Sequence, residues 1–328
     1  MGCLDHVHAI ERGAKGGKRG ARSAMANPVE LRLSGDHLGK MEGAGERPCR
    51  REAPMPSKIL VATDLSIRSE RALRRAAQLA VQHEAELTAL CIIDEDLPVK
   101  LAHKVREDMV DELALHCEGL DHGHAIQRVE IAEVVQGILK VLEESGADLL
   151  VLGIHRHRPL WDLVYGTTME RILRVAQVPV LLVKTVPHAP YARILAGIDM
   201  SEACALSISE AHELSSEAAI SAFHAVHVPY RGLVAPHGSA EALSPFLDEA
   251  ERAMETWWES ADLPAACEMP RAESAGRTEL LMQKLNEVSP DLLAIGAHGR
   301  SSFTPTMLGS FTEQILRDPP CDVLVVRR

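Results

Sequence analysis

One order of residue types occurs twice along this chain, and it constrains the architecture more tightly than any single motif. Lys58-Ile59-Leu60-Val61-Ala62-Thr63-Asp64-Leu65-Ser66 has its counterpart in Arg193-Ile194-Leu195-Ala196-Gly197-Ile198-Asp199-Met200-Ser201. The apolar runs at 87–93, 148–153 and 178–183 return in the same order at 218–228, 291–296 and 321–326. Similarity kept in order and spacing over this length marks an internal duplication. In the first copy the runs alternate with stretches at helical spacing, at 69–85, about 101–117, 132–144 and 166–176, and 125–129 supplies a third strand. The strand runs lack polar alternation, as strands of a parallel sheet covered on both faces do. The expected fold is therefore α/β, with two doubly wound parallel five-stranded sheets and right-handed crossovers. Ligands of such sheets bind beyond the carboxyl ends of the strands. Asp64, Asp199, Gly153 and Gly296 all fall at that edge.

The stretch Val186-Pro187-His188-Ala189-Pro190 reads as the linker, so the two domains are expected at 55–187 and 190–328. Residues 1–54 differ in character and are expected to be disordered. Their glycine-rich basic stretch at 13–20 follows no strand and has the wrong spacing for a phosphate-binding Walker loop. Met55-Pro56 directly precedes the first strand, which makes Met55 a candidate natural start.

Composition narrows the partners. The 328 residues carry a net charge of −12, so nucleic acid and anionic membranes are not expected as general partners. Aromatic residues, at 3%, are too few for base-stacking platforms. No apolar run reaches the roughly 18 residues that span a bilayer, and Asp5, His6 and His8 interrupt any secretory leader. Seven scattered cysteines without CxxC spacing argue for a reduced, cytoplasmic setting and against a disulfide frame or zinc site.

The chemistry-bearing stretch is Leu292-Leu293-Ala294-Ile295-Gly296-Ala297-His298-Gly299, then nine residues, then Gly309-Ser310. An apolar strand runs into glycines, and a helical pattern with Phe311, Ile315 and Leu316 on one side follows. Strand, glycine loop and helix start together make a phosphate cradle. Backbone N–H groups reach an anion without a Cβ in the way, and the helix adds its unpaired N–H groups and positive dipole end. Ser310 is placed to cap that helix or to bond a phosphate oxygen. Any one of these glycines alone reads as an ordinary turn residue; three at this spacing, with Ser310, read as an anion site. Asp64 and Asp199 also suit helix-preceding caps, since Ser66 and Ser201 follow them, and for Asp64 that reading weighs as much as a functional one.

The first copy departs from the pattern. It has Gly153-Ile154-His155-Arg156, nine residues, then Gly166-Thr167. Arg156 occupies the place of the second glycine, so this copy reads as a scaffold that has lost its nucleotide, with direct anion binding by the basic loop as the alternative. Trp257 and Trp258, with Phe246 and Met254, lie at helical spacing and read as a core face. No base, nucleophile triad or metal cluster stands arranged for fast chemistry.

On these residues the chain from 57 to 328 resembles a tandem universal stress protein. The nucleotide-binding branch of that family carries G-x2-G-x9-G-[ST], present in full as Gly296, Gly299, Gly309 and Ser310. The resemblance implies ATP in the second copy, with Gly197 and Asp199 toward ribose and phosphates and backbone near Val228 toward adenine. It places Ile295, Gly296 and Gly299 at the loop, and Gly309, Ser310 and Phe311 at the phosphate-side helix start. A magnesium ion bridging phosphates near Asp199 would accompany ATP, and Arg300 reads as a solvated neighbour. The degenerate first-copy site would comprise Asp64, Gly153, Arg156, Gly166 and Thr167.

The role implied is a stress-response or signalling module whose output is shape or partner affinity, with at most slow ATPase or autophosphorylation. A nucleotide-free interaction protein is the alternative. An ATP-cleaving hydrolase of the wider fold group fits poorly, because Thr63-Asp64-Leu65-Ser66 and Ile198-Asp199-Met200-Ser201 stand where a Ser-Gly-Gly loop would be needed. The family also implies that the last strands, 178–183 and 323–326, pair within the chain and hide both edges; a further homodimer is left open.

Overall fold

Strands form where the β-branched and leucine runs lie, and they fall into two sets of five. Lys58–Ala62 (β1), Glu86–Asp94 (β2), Ile126–Ala132 (β3), Leu149–Gly153 (β4) and Val180–Val183 (β5) make the first half. Arg193–Gly197 (β6), Ala219–Ala225 (β7), Ala272–Glu273 (β8), Leu292–Gly296 (β9) and Asp322–Val326 (β10) make the second. The structure, a computed structural model, describes residues 56–120, 124–154, 168–234, 240–298 and 308–327. The tail at 1–54, Arg156, Gly166, Thr167, Gly299 and Arg300 therefore lie outside the described residues.

The strands form one sheet in the order β3-β2-β1-β4-β5-β10-β9-β6-β7-β8. Pairing is parallel within each half, as in Ile59 opposite Leu149 and Ile194 opposite Leu292. At the centre β10 runs antiparallel to β5, with Val323 opposite Leu182. Each half thus repeats one order, third-second-first-fourth-fifth, and places the strand order reversal between its first and fourth strands. That reversal opens the crevice where α/β sheets hold ligands.

Nine helices are described: Ile67–His83 (α1), Val99–Glu118 (α2), Val134–Ser145 (α3), Thr168–Leu173 (α4), Glu202–Leu214 (α5), Arg231–Val234 (α6), Ala240–Ser260 (α7), Arg277–Val288 (α8) and Ser310–Arg317 (α9). They cover both faces. One core layer holds Ile59, Leu73, Leu181, Ile208, Met254 and Leu324. The other holds Leu60, Ile138, Leu182, Leu280, Ile315 and Val323. Successive side chains of a strand point to opposite faces, so Leu181 and Leu182 enter different layers, as do Val323 and Leu324. Both layers run without interruption across the β5–β10 seam. Trp257 and Trp258 pack against the first layer. No described helix is long and apolar enough to cross a membrane.

The seam carries a buried carboxylate that sequence reading did not single out. Asp322, fully buried, accepts from Lys184 N at 2.9 Å, Thr185 N at 3.0 Å, Thr185 Oγ1 at 2.9 Å and Tyr191 Oη at 2.8 Å. Arg75 on α1 lies 3.5 Å from it through Nε, an ion-pair distance rather than a well-formed hydrogen bond. The Arg75 guanidinium stacks 4.1 Å over the Tyr191 ring and donates to the Ala189 carbonyl. One side chain of the second half thereby fastens β10 to the residues on either side of the linker and to the first half's first helix. Burial, then the Asp322 charge, pushes the Tyr191 phenol well above 10.

Several boundaries differ from those read in the sequence. The run at 218–228 is a strand only as far as Ala225. Pro229 cannot donate to a ladder, and Tyr230 turns the chain with φ of 52°. Val228 accordingly lies three residues beyond the strand end, buried with Leu243 in a small separate cluster. Strands β1 and β6 stop two residues short of Asp64 and Asp199. The described part of the fourth helix begins at Thr168.

Candidate functional site

The carboxyl ends of β6 and β9 are shaped first by the turn that leaves β6. Ile198 N bonds to the Phe223 carbonyl at 2.9 Å, which still belongs to the ladder. Asp199 Oδ1 then accepts from Ser201 N at 2.9 Å, an Asx turn that needs Met200 at φ of 60°. Ser201 is the N-cap of α5, its hydroxyl accepting from Cys204 N at 3.1 Å. The caps are thus the serines, and the aspartates shape the turns before them.

The first half builds the same turn with one difference. Asp64 Oδ1 accepts from Ser66 N at 3.1 Å and also from Ser69 Oγ at 2.5 Å. In the second half the place of Ser69 is taken by Cys204, whose thiol turns to the Gly197 carbonyl at 3.3 Å. Among the described residues no side-chain hydroxyl reaches Asp199. Burial, with Asp199 adding to it, pushes the Cys204 thiol up to about 12, so this sulfur is a neutral packing group rather than a nucleophile.

Gly153 and Gly296 end the two fourth strands. A Cβ on Gly153 would lie 3.0 Å from Ser69 Cα, and one on Gly296 would lie 3.1 Å from the Ala203 carbonyl carbon and Cys204 N. The close approach of α1 and α5 to the sheet therefore favours glycine at both positions, whatever the site binds. Gly197 is different: a Cβ there would meet only ordinary contacts, 3.5 Å from the Phe223 ring.

Helix α9 starts directly above the end of β9. Gly309 N donates to the Ala297 carbonyl at 2.9 Å, and Thr312 Oγ1 donates to the Gly296 carbonyl at 3.0 Å. The N-cap is Gly309, which has no side chain to cap with. Ser310 is the first helical residue and is exposed, so it does not cap this helix. The first-turn N–H groups of α9 are left without a side-chain cap, pinned at the strand edge where an anion would meet them. Ile295 is buried beneath this edge, and Phe311 packs half-buried at the second helical position.

Two further side chains stand here that sequence reading passed over. His298 lies inside the glycine spacing, its Nδ1 buried and without a partner among the described residues. Burial first, and then the nearby Arg327, hold its imidazole below the usual 6.5, while Asp199 opposes them. Arg327 itself donates to the Arg174 carbonyl. On the other side Arg277, first residue of α8, holds its guanidinium 5.9 Å from the centre of the Phe311 ring. The signal for His298 was its place between Gly296 and Gly299; Arg277 sits in no motif and shows only in three dimensions. Among the described residues no group of three His, Cys, Asp or Glu could hold a metal ion.

Against known families, residues 55–184 and 190–327 each match the universal stress protein family. The chain belongs to the universal stress protein family. A universal stress protein of Mycolicibacterium smegmatis is 26% identical over 302 residues, covering 82% of this chain and 96% of its own length. Universal stress protein MJ0531 of Methanocaldococcus jannaschii is 30% identical over 139 residues, 39% of this chain and 81% of its own. Among solved structures, a universal stress protein from Archaeoglobus fulgidus DSM 4304 superposes with a TM-score of 0.60 at 19% identity, covering 84% of this chain and 99% of that one. The universal stress protein fold thus extends through both halves, and the duplication is two copies of the family's unit.

Proposed function

We propose that this universal stress protein binds ATP, with magnesium, at the second-half edge, and acts in the cytoplasm as a stress-signalling module through shape or partner affinity rather than turnover. The observation that carries this reading is the uncapped start of α9, fixed to the end of β9 by the Gly309–Ala297 and Thr312–Gly296 bonds. It stands at the Gly-Ser that closes the family's glycine spacing. On this reading Ser310 and Phe311 offer first-turn N–H groups to the phosphates, Gly309 fixes the helix start through its bond to Ala297, and Gly296 and Gly299 belong to the loop. Gly197 and Asp199 face the ribose and phosphate side, backbone near Val228 faces adenine, and Ile295 floors the pocket. With no three-ligand cluster among the described residues, a magnesium ion would be held chiefly by the phosphates, with Asp199 as its protein contact. The two domains, 55–187 and 190–328, would divide the work, the first serving as scaffold with Asp64, Gly153, Arg156, Gly166 and Thr167 as remnants of a site.

A second reading, a nucleotide-free interaction protein, has its own support: helix packing alone accounts for Gly153 and Gly296. Calorimetric titration of magnesium-ATP separates the two. The wild type is expected to bind one ATP per chain, and Gly299→Arg, which gives the second half the arginine of the first, to bind none while keeping its thermal midpoint. No binding by the wild type would support the interaction protein, and two equal sites would show that Arg156 does not disable the first half.

A further inference from the structure

The third-strand crossovers of the two halves differ in charge where they meet the fourth helices. In the first half Glu133 is the N-cap of α3; it accepts from Gln136 N at 2.9 Å and pairs with Arg171 of α4 at 2.9 Å. In the second half the N-cap of α8 is Gly276, which brings no side chain, and the next residue is Arg277. The helix contact is now Thr278 Oγ1 to Gln314 Oε1 at 3.0 Å, with the Arg277 guanidinium over the Phe311 ring. An acid has gone and a cation has arrived at the same place.

This cation has no ion-pair partner among the described residues, unlike several other cations. Lys284 on the same helix pairs with Glu273 and Glu287, Arg128 with Glu130 and Glu144, and Arg174 with Glu313 of α9. Among the described residues no carboxylate lies within ion-pair distance of Arg277. Glu279 bends back toward the Gly276 cap and Glu313 is taken by Arg174. The ring beneath the guanidinium belongs to the second residue of α9, whose first-turn N–H groups carry partial positive charge of their own. A cation held beside a positive helix end feels a weak, solvent-screened repulsion that an anion between them would relieve.

We propose that Arg277 is a phosphate-binding residue of the second-half site and that it makes the site favour nucleotides with more phosphates. This deepens the ATP reading above and rests on it. A guanidinium matches a phosphate with two parallel N–H···O bonds. The Phe311 face limits the side chain's freedom beforehand, so less entropy is lost on binding. The preference follows from charge: a guanidinium beside the helix start that the ATP reading gives to the phosphates attracts a triphosphate more than a monophosphate.

The test is titration of ATP, ADP and AMP, each with and without magnesium, into the full chain as wild type, Arg277→Gln and Arg277→Lys. Arg277 is exposed, so both variants are expected to keep the wild-type circular dichroism and thermal midpoint. Arg277→Gln should weaken ATP about tenfold and leave AMP within about twofold. Arg277→Lys should fall between, keeping the charge but losing the fork and the stacking. An unchanged ratio of ATP to AMP affinity in Arg277→Gln would overturn the role of Arg277 while leaving the site itself standing. A wild type silent to all three nucleotides would instead overturn the site, and that failure appears before any substitution is made.

Discussion

Gly296 has a packing duty that the glycine motif does not announce. Gly296 is confined by the first turn of α5, 3.1 Å from where its Cβ would sit. We expect Gly296→Ala to cost about 1–3 kcal/mol of stability, measured by urea unfolding, because backbone rather than a flexible side chain stands in the way. An unchanged midpoint would show that α5 shifts freely. The same residue scale shows what sequence could and could not reveal. Asp64 and Asp199 hold matching places in the two copies, but Ser69 against Cys204 changes what their carboxylates meet. That difference lies in a helix three residues past the cap, where no motif directs attention. His298 and Arg277 were missed for a related reason: one hid inside a glycine pattern, and the other meets Phe311 only because α8 and α9 pack side by side.

Among elements, the strands buried on both faces were the legible ones. β1, β4, β6, β9 and β10 are short apolar runs bounded by polar or glycine residues, and the sequence places them within a residue or two. β7 was read too long because Val226 and Val228 are apolar, although Val228 is buried in a side cluster with α7 rather than in the sheet. β8, two residues long, has no pattern of its own and exists only because β7 offers it an edge. Asp322 was read as part of an apolar run, since nothing local announces that a carboxylate there meets four donors drawn from Lys184, Thr185 and Tyr191. Asp322→Ala would leave Arg75 buried without its counter-charge. We expect about 3–5 kcal/mol of destabilisation, seen as a lower midpoint in chemical unfolding. A loss under about 1 kcal/mol would show that the seam holds through its apolar layers alone.

For the whole molecule, one sheet and two continuous core layers join a half that carries the intact glycine signature to a half that does not. Residues 51–328 pack as one compact unit, so on the proposed reading the first half would serve the second as a scaffold. The central claim is that a triphosphate is held by backbone amides at the start of α9. It is tested most directly by recording backbone amide NMR spectra of the deuterated full chain as magnesium-ATP is added. The account predicts that Gly309, Ser310, Phe311 and Thr312 shift and saturate together, while Ser66, Ser69 and Gly153 at the matching edge of the first half stay in place. Saturation of ATP binding with those four amides unmoved would contradict it.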